Sequence, residues 1–263
     1  SGKETRKMKL ASRMVLGFVV VAAVASLATA AEPPAAPKVS TFAPAKDVAA
    51  QIETYVERLE ESVQSEEEFK EAEAKLAKDS NTLILLALAA GLHDEEIKYK
   101  AAAPGLVKAA QELAKAKDFS AAKAGVAAVK KALDSKDGNP AELKWVKSAS
   151  LPDLMKQVPL INSRLKRNLR GTKLTSKAKD NAGDSATLAV IAQGSMADTS
   201  EAKSEDQVAK WFGFCIQMRD AATALNKAVE TKDSKAADKA MSDLNQSCDD
   251  CHEVFHKVEK KEE

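Results

Sequence analysis

Aromatic side chains are scarce in this chain: 2 Trp, 2 Tyr and 7 Phe, 4% of 263 residues. Sheets draw on aromatic and β-branched residues, so a chain dominated by Ala, Lys, Leu and Glu suits helices and suits sheets badly. Neither sign of charge prevails. Lys and Arg number 40 against 39 Asp and Glu, and a formal net charge of +1 predicts neither a nucleic-acid binder nor an enzyme for acidic substrates. Cysteine is almost absent, at 3 residues. The apolar run Met14 to Leu27 is short for a membrane span, which needs about 20 apolar residues. No hydrolase triad, phosphate loop or paired carboxylate arrangement stands out, so the chain does not read as an enzyme.

The N-terminus reads as an export signal. Lys3, Arg6, Lys7, Lys9 and Arg13 flank the apolar run with positive charge, and Ala28-Thr29-Ala30 offers small residues to a signal peptidase. Residues 1–30 are therefore expected to be removed after Ala30, with Met8 the natural start. An uncleaved N-terminal anchor is the alternative. Either way the remainder lies outside the cytoplasm, in the periplasm or otherwise exported. Residues 31–46, with Glu32-Pro33-Pro34-Ala35-Ala36-Pro37 and Pro44, read as an extended tether, mobile or loosely docked, because proline restricts its own backbone and that of the residue before it.

From Asp47 onward the apolar spacing is helical. It predicts helices over about Asp47 to Glu61, Glu66 to Leu92, Tyr99 to Ala116 and Ser120 to Leu133. Ser65 with Glu68 is a capping-box pattern for the second. Asp137-Gly138-Asn139-Pro140 is a strong break. Beyond it, helices are expected at about Leu151 to Leu169, Thr175 to Met196, Glu205 to Thr231 and Ser234 to Lys257. The expected fold is all-α: two antiparallel four-helix bundles in tandem, over residues 47–137 and 138–263, joined by short loops.

The halves look like copies of each other. Asp79-Ser80-Asn81-Thr82-Leu83 matches Asp184-Ser185-Ala186-Thr187-Leu188, an offset of 105. Ala109 to Ala116 matches Ala221 to Ala228 at an offset of 112. Lys117-Asp118 with Ala121-Ala122 matches Lys232-Asp233 with Ala236-Ala237 at 115. The order is kept and the offsets grow slowly, as loop insertions would make them.

Cys248-Asp249-Asp250-Cys251-His252 carries the chemistry. This is the attachment signature of c-type haem. Two thiols must reach the two vinyl groups of one porphyrin edge, and an imidazole must reach the iron from one face. Positions three and four apart share a helix face, so Cys248, Cys251 and His252 all point at one macrocycle. Behind an export signal, in a chain with one other cysteine, the short pattern becomes specific. A disulfide between Cys248 and Cys251, or zinc held with His252 and His256, are the alternatives. Structural zinc sites usually split their ligands into two pairs separated by a loop, whereas these four lie within nine residues of one helix. The positions matching Cys248, Cys251 and His252 in the first half are Leu133, Lys136 and Asp137, none of which holds haem, so that half is expected to be a bundle with an empty or filled-in core.

A four-helix bundle with Cys-x-x-Cys-His on its last helix resembles the cytochrome c′ family, the class II c-type cytochromes. Cys248 through His256 cover the family's motif region, and helix order extends the resemblance over roughly 151–257. The resemblance implies one covalent haem c with His252 as iron ligand. It places Phe255 at a usually aromatic position and His256 at a usually basic one near the haem. It also implies that the helix beginning Ser150-Leu151-Pro152-Asp153 covers the other haem face, where some members place a ligand methionine and gas-binding members an apolar blocker. Met155 stands where the methionine is expected. Pro159 cannot donate to the carbonyl of Met155, so the helix should kink there. Leu151 or Val158 is the blocker if the iron is open. Family members commonly pair through bundle faces, so the duplication would fuse a pseudo-dimer.

Two functions follow: one-electron transfer to a redox partner protein, or binding of a small gas such as nitric oxide at an open sixth position. A third reading makes the haem-free half an interaction module. Trp211, Phe212 and Phe214 are candidates to pack the porphyrin, with plain core the competing reading. Cys215 reads as a buried small hydrophobe. His93, beside Asp94, Glu95 and Glu96, reads as solvated, and the acidic residues Glu66, Glu67, Glu68, Glu71 and Glu73 as a wet helix face. Arg164, Lys166, Arg167, Arg170 and Lys173 form a basic segment, read as a solvated face or a dock for an acidic partner.

Overall fold

The computed structural model describes residues 32–136 and 138–256. The expected signal peptide, Asp137 and the end of the last helix lie outside them. Among the described residues all regular structure is helical. The helices are α1 (Ala45–Glu61), α2 (Glu66–Leu92), α3 (Ala103–Leu113), α4 (Phe119–Leu133), α5 (Leu151–Asn168), α6 (Lys173–Ser176), α7 (Ala178–Ser195), α8 (Glu205–Glu230) and α9 (Ser234–Phe255). None of the described helices is long and apolar enough to cross a membrane.

Local chemistry explains the boundaries. Ser65 accepts from the Glu68 N–H at 3.1 Å, and its hydroxyl donates to the Glu68 carboxylate at 3.1 Å, a variant of the expected capping box. Asp118 and Asp233 cap α4 and α9, accepting from Ala121 N–H at 2.8 Å and Ala236 N–H at 3.0 Å. These two caps are the aspartates matched by the repeat. α3 starts later than Tyr99 because Pro104 must sit in a first turn, where its missing N–H costs nothing. The helix expected over Thr175 to Met196 is split at Lys177, just after Thr175 and Ser176, whose hydroxyls compete with helical hydrogen bonding.

In the first half α1 packs on α2 and α4, and α3 on α2 and α4. In the second half α7 packs on α5 and α8, and α8 on α9. Across the halves α1 meets α7, and α2 meets both α5 and α7. A single apolar cluster runs from Val39 to Leu244 through both halves. The second part of the expected tether is docked rather than loose: Val39, Phe42 and Ala43 are buried in that cluster, and Asp94 accepts from the Ser40 N–H and hydroxyl at 2.9 and 2.7 Å.

α2 and α7 are the central helices. Every residue from Asp79 to Gly91 and from Asn181 to Ser195 is buried. A helix enclosed on all sides packs closely when its side chains are small or apolar, and the first stretch is rich in Leu and Ala, the second in Ala with Gly183 and Gly194. Near its start each carries a buried aspartate that meets an arginine from the first helix of its own half. Arg58 reaches Asp79 at 2.7 Å, and Arg164 grips Asp184 through two bonds of 2.7 and 3.0 Å. Arg58 and Arg164 stand 106 positions apart (164 − 58), against 105 for the aspartates. The same offset superposes Asp47 on Asp153, Gln51 on Gln157 and Leu59 on Leu165, a match between α1 and α5.

Candidate functional site

α9 buries Ala237, Ala240, Met241, Leu244 and Ser247, and this stripe continues into the half-buried Cys248 and Cys251. With His252 these cysteines line one cavity, completed by Met155, Val158, Pro159 and Asn162 of α5, Ala192 and Ser195 of α7, and Trp211, Phe214, Cys215 and Met218 of α8. The cavity has a volume of about 130 Å³ and a mostly apolar lining. Cofactor sites share that apolar character but are typically clefts of roughly 300–1,000 Å³, so a bound group of that size would have to part these walls. His252 itself is exposed, at the mouth.

The aromatic candidates separate. Trp211 and Phe214 line the cavity, and Phe255 meets both edge-on, with ring centroids at 5.3 and 6.2 Å. Trp211 is fixed by its indole N–H, which donates to the Ser195 carbonyl at 3.0 Å. Phe212 is not among the residues lining the cavity; it is buried in a cluster with Leu151, Met196, Trp211 and Cys215. Of the two possible blockers, Val158 lines the cavity and Leu151 does not. Met155 lines it, half-buried, opposite the cysteine motif.

All three thiols are free. Burial pushes the Cys251 thiol up to about 11 and raises Cys248 as well, so both are neutral thiols near pH 7. Cys215 is buried as expected, yet it faces the cavity beside Cys251. His256 ends α9, exposed, its ring 5.7 Å from that of His252. Among the described residues no group of three or more His, Cys, Asp or Glu converges as on a bare metal ion. A haem iron needs no such group, because the porphyrin supplies four of its donors. Two buried polar atoms of the lining, Ser195 Oγ and Asn162 Oδ1, have no partner. The paired thiols, imidazole, thioether, aromatic walls and unpartnered polar atoms of the lining are a donor set whose chemistry suits a covalently held porphyrin.

The remaining candidates are sorted by burial. The acidic residues Glu66 to Glu68, Glu71 and Glu73 are exposed, as are Lys166, Arg167, Arg170 and Lys173. Arg164 departs from its expected place: it is held inward by Asp184. His93 is buried rather than solvated. Its Nδ1 accepts from the Glu95 N–H at 3.1 Å while Nε2 lies 3.0 Å from the Ala43 carbonyl, so the folded tether covers it.

In the first half the corresponding positions are closed. Ala49 matches Met155 at the α1–α5 offset and packs on the core. Leu133 is also packed on the core, and Lys136 is exposed. Ala103 matches Cys215 at the α3–α8 offset, and Leu143 of the connector packs there. A Cβ added at Gly91 would lie 2.2 Å from Leu143 Cδ1 and 2.9 Å from Ala103 Cβ, so only glycine admits that leucine.

No family model, curated protein or solved structure matches the chain.

Proposed function

We propose that the chain is an exported c-type cytochrome of the cytochrome c′ kind, carrying one haem c in the cavity between α5 and α9 and transferring single electrons to a redox partner protein. The observation that carries this reading is that the cysteine pair, His252 and Met155 line one apolar cavity although α5 and α9 lie far apart in sequence. Cys248 and Cys251 hold the group by thioether bonds. His252 and Met155 are the side chains that would bind its iron. When bound, the haem supplies an iron that cycles between ferrous and ferric. Trp211, Phe214 and Val158 would form apolar walls around the group. The same reading takes the halves as tandem four-helix bundles joined as a pseudo-dimer, in the periplasm or otherwise outside the cytoplasm.

A second function, binding of a small gas at an open iron, is favoured by one observation. Val158 lines the cavity beside Met155 and is the apolar blocker that such a site requires. Spectra of the haem-loaded chain separate the two. Electron transfer requires a low-spin ferric form with a weak long-wavelength sulfur–iron band, lost in Met155→Ala. A high-spin wild type that binds carbon monoxide rapidly hands the function to gas binding.

A further inference from the structure

We propose that the haem-free half is a positioning device: it holds α5 in the register that sets Met155 over the iron, with Gln157 as the principal positioning residue. This rests on the ligand assignment above. Met155 and Gln157 stand two residues apart, about 200° around a helix of 3.6 residues per turn. The side of α5 that carries Met155 lines the cavity, and the other side, with Gln157, is buried against α1 and α2. Gln157 Nε2 donates to Tyr55 Oη at 2.8 Å and to Asp79 Oδ1 at 3.1 Å. About two turns earlier, Asn81 Oδ1 accepts from the N–H of Ser150, the N-cap of α5, at 2.7 Å, while Asn81 Nδ2 reaches Asp153 Oδ2, about one turn before Gln157, at 3.4 Å. Tyr55, Asp79 and Asn81 all belong to the first half. Their contacts at 150, 153 and 157 bracket Met155 on both sides.

The helix depends on such anchors at this place. Pro159 has no N–H to give the Met155 carbonyl, so the turn that carries the ligand lacks one of its own bonds. Asp79 Oδ2 and Gln157 Oε1 are buried without partners, which an apolar joint would avoid. Hydrogen bonds at fixed points set the register of one helix on another, whereas apolar faces tolerate sliding.

The test uses the full, haem-loaded chain with haem content measured in each preparation. Gln157→Leu removes both contacts and Tyr55→Phe removes one while keeping the ring. Asp118→Ala, remote from α5, controls for general destabilisation. At one haem per chain, Gln157→Leu should lower the sulfur-ligated to unligated ratio about thirtyfold, the combined effect of two lost buried hydrogen bonds. It should lower the reduction potential and speed carbon monoxide binding, with Tyr55→Phe intermediate and Asp118→Ala silent. Should Gln157→Leu fail to fold, Tyr55→Phe decides alone. Wild-type spectra, potentials and carbon monoxide rates in the folded Gln157 and Tyr55 variants overturn the proposal, as does an equal change in Asp118→Ala. A wild type with haem but no sulfur ligand removes Met155 as ligand. That outcome overturns the proposal together with the ligand assignment, whereas a sulfur-ligated wild type with silent Gln157 and Tyr55 variants overturns the proposal alone. A wild type without haem overturns both readings.

Discussion

The two halves share a plan and differ at one end. Four helix pairs correspond in order, α1 with α5, α2 with α7, α3 with α8 and α4 with α9, and the arginine–aspartate pairs and aspartate caps recur in matching places. The difference lies in length. α8 has 26 residues against 11 in α3, and α9 has 22 against 15 in α4. At the repeat offsets, Trp211 falls on Tyr99, before α3 begins, and Cys251 falls on Lys136, after α4 has ended. Part of the candidate site, Trp211 and Cys251 with His252, therefore stands on helical extensions that the first half lacks. There the connector turns back and Leu143 occupies the space.

The strongest way to break the comparison is to separate the halves. Deleting residues 47–137 strips α1 and α2 from α5 and α7, although α7 is buried on every side from Asn181 to Ser195. The remaining chain is expected to aggregate or pair with itself; an equally stable monomer by sedimentation and urea unfolding would contradict the shared core. Next come the ion pairs. Asp79 has no exposed side-chain surface, so Arg58→Ala leaves a buried carboxylate unpaired and should cost about 3 kcal/mol. Arg164→Ala should cost at least as much, because two bonds are lost. Urea midpoints check both, and a loss confined to one half would undermine the equivalence.

A pH series sharpens the same point. Burial raises Asp79 above its ordinary 3.8, against the pull of Arg58. The folded chain then binds that proton more tightly than the unfolded chain. The resulting stabilisation is complete below 3.8 and is lost as the pH rises through the folded value. Relative to Asp79→Asn, wild type should lose stability between acid and neutral pH, and a flat difference would mean that Asp79 titrates normally. The smallest effects are the matched caps. Asp118→Ala and Asp233→Ala should each cost about 1 kcal/mol, and thermal unfolding should show them alike.

Helix existence and most boundaries were legible because apolar period and caps are local signals; Ser65 announced its helix, while the caps Asp118 and Asp233 went unread although each stands just before an expected start. The motif residues were legible for the same reason, since Cys248, Cys251 and His252 lie within one turn and a half. What α5 contributes depends on tertiary contact. Nothing local in Gln157 distinguishes a surface glutamine from one wedged against Tyr55 and Asp79. The α1–α5 match, which pairs Gln51 with Gln157 and Arg58 with Arg164, was the available signal. His93 was misread because three acidic neighbours suggest solvent, whereas a segment fifty residues upstream covers it. Proline content likewise suggested a free tether, although Val39 and Phe42 carry enough apolar surface to dock it.

The central claim is that one half holds a haem and the other is plugged. It is tested most directly by haem content in the chain matured by a competent c-type assembly system, with the attachment peptide identified after proteolysis. The account predicts one haem per chain, bound through Cys248 and Cys251, and none in Cys248→Ala with Cys251→Ala. A value near zero or two in wild type, or haem retained by the double variant, would contradict it.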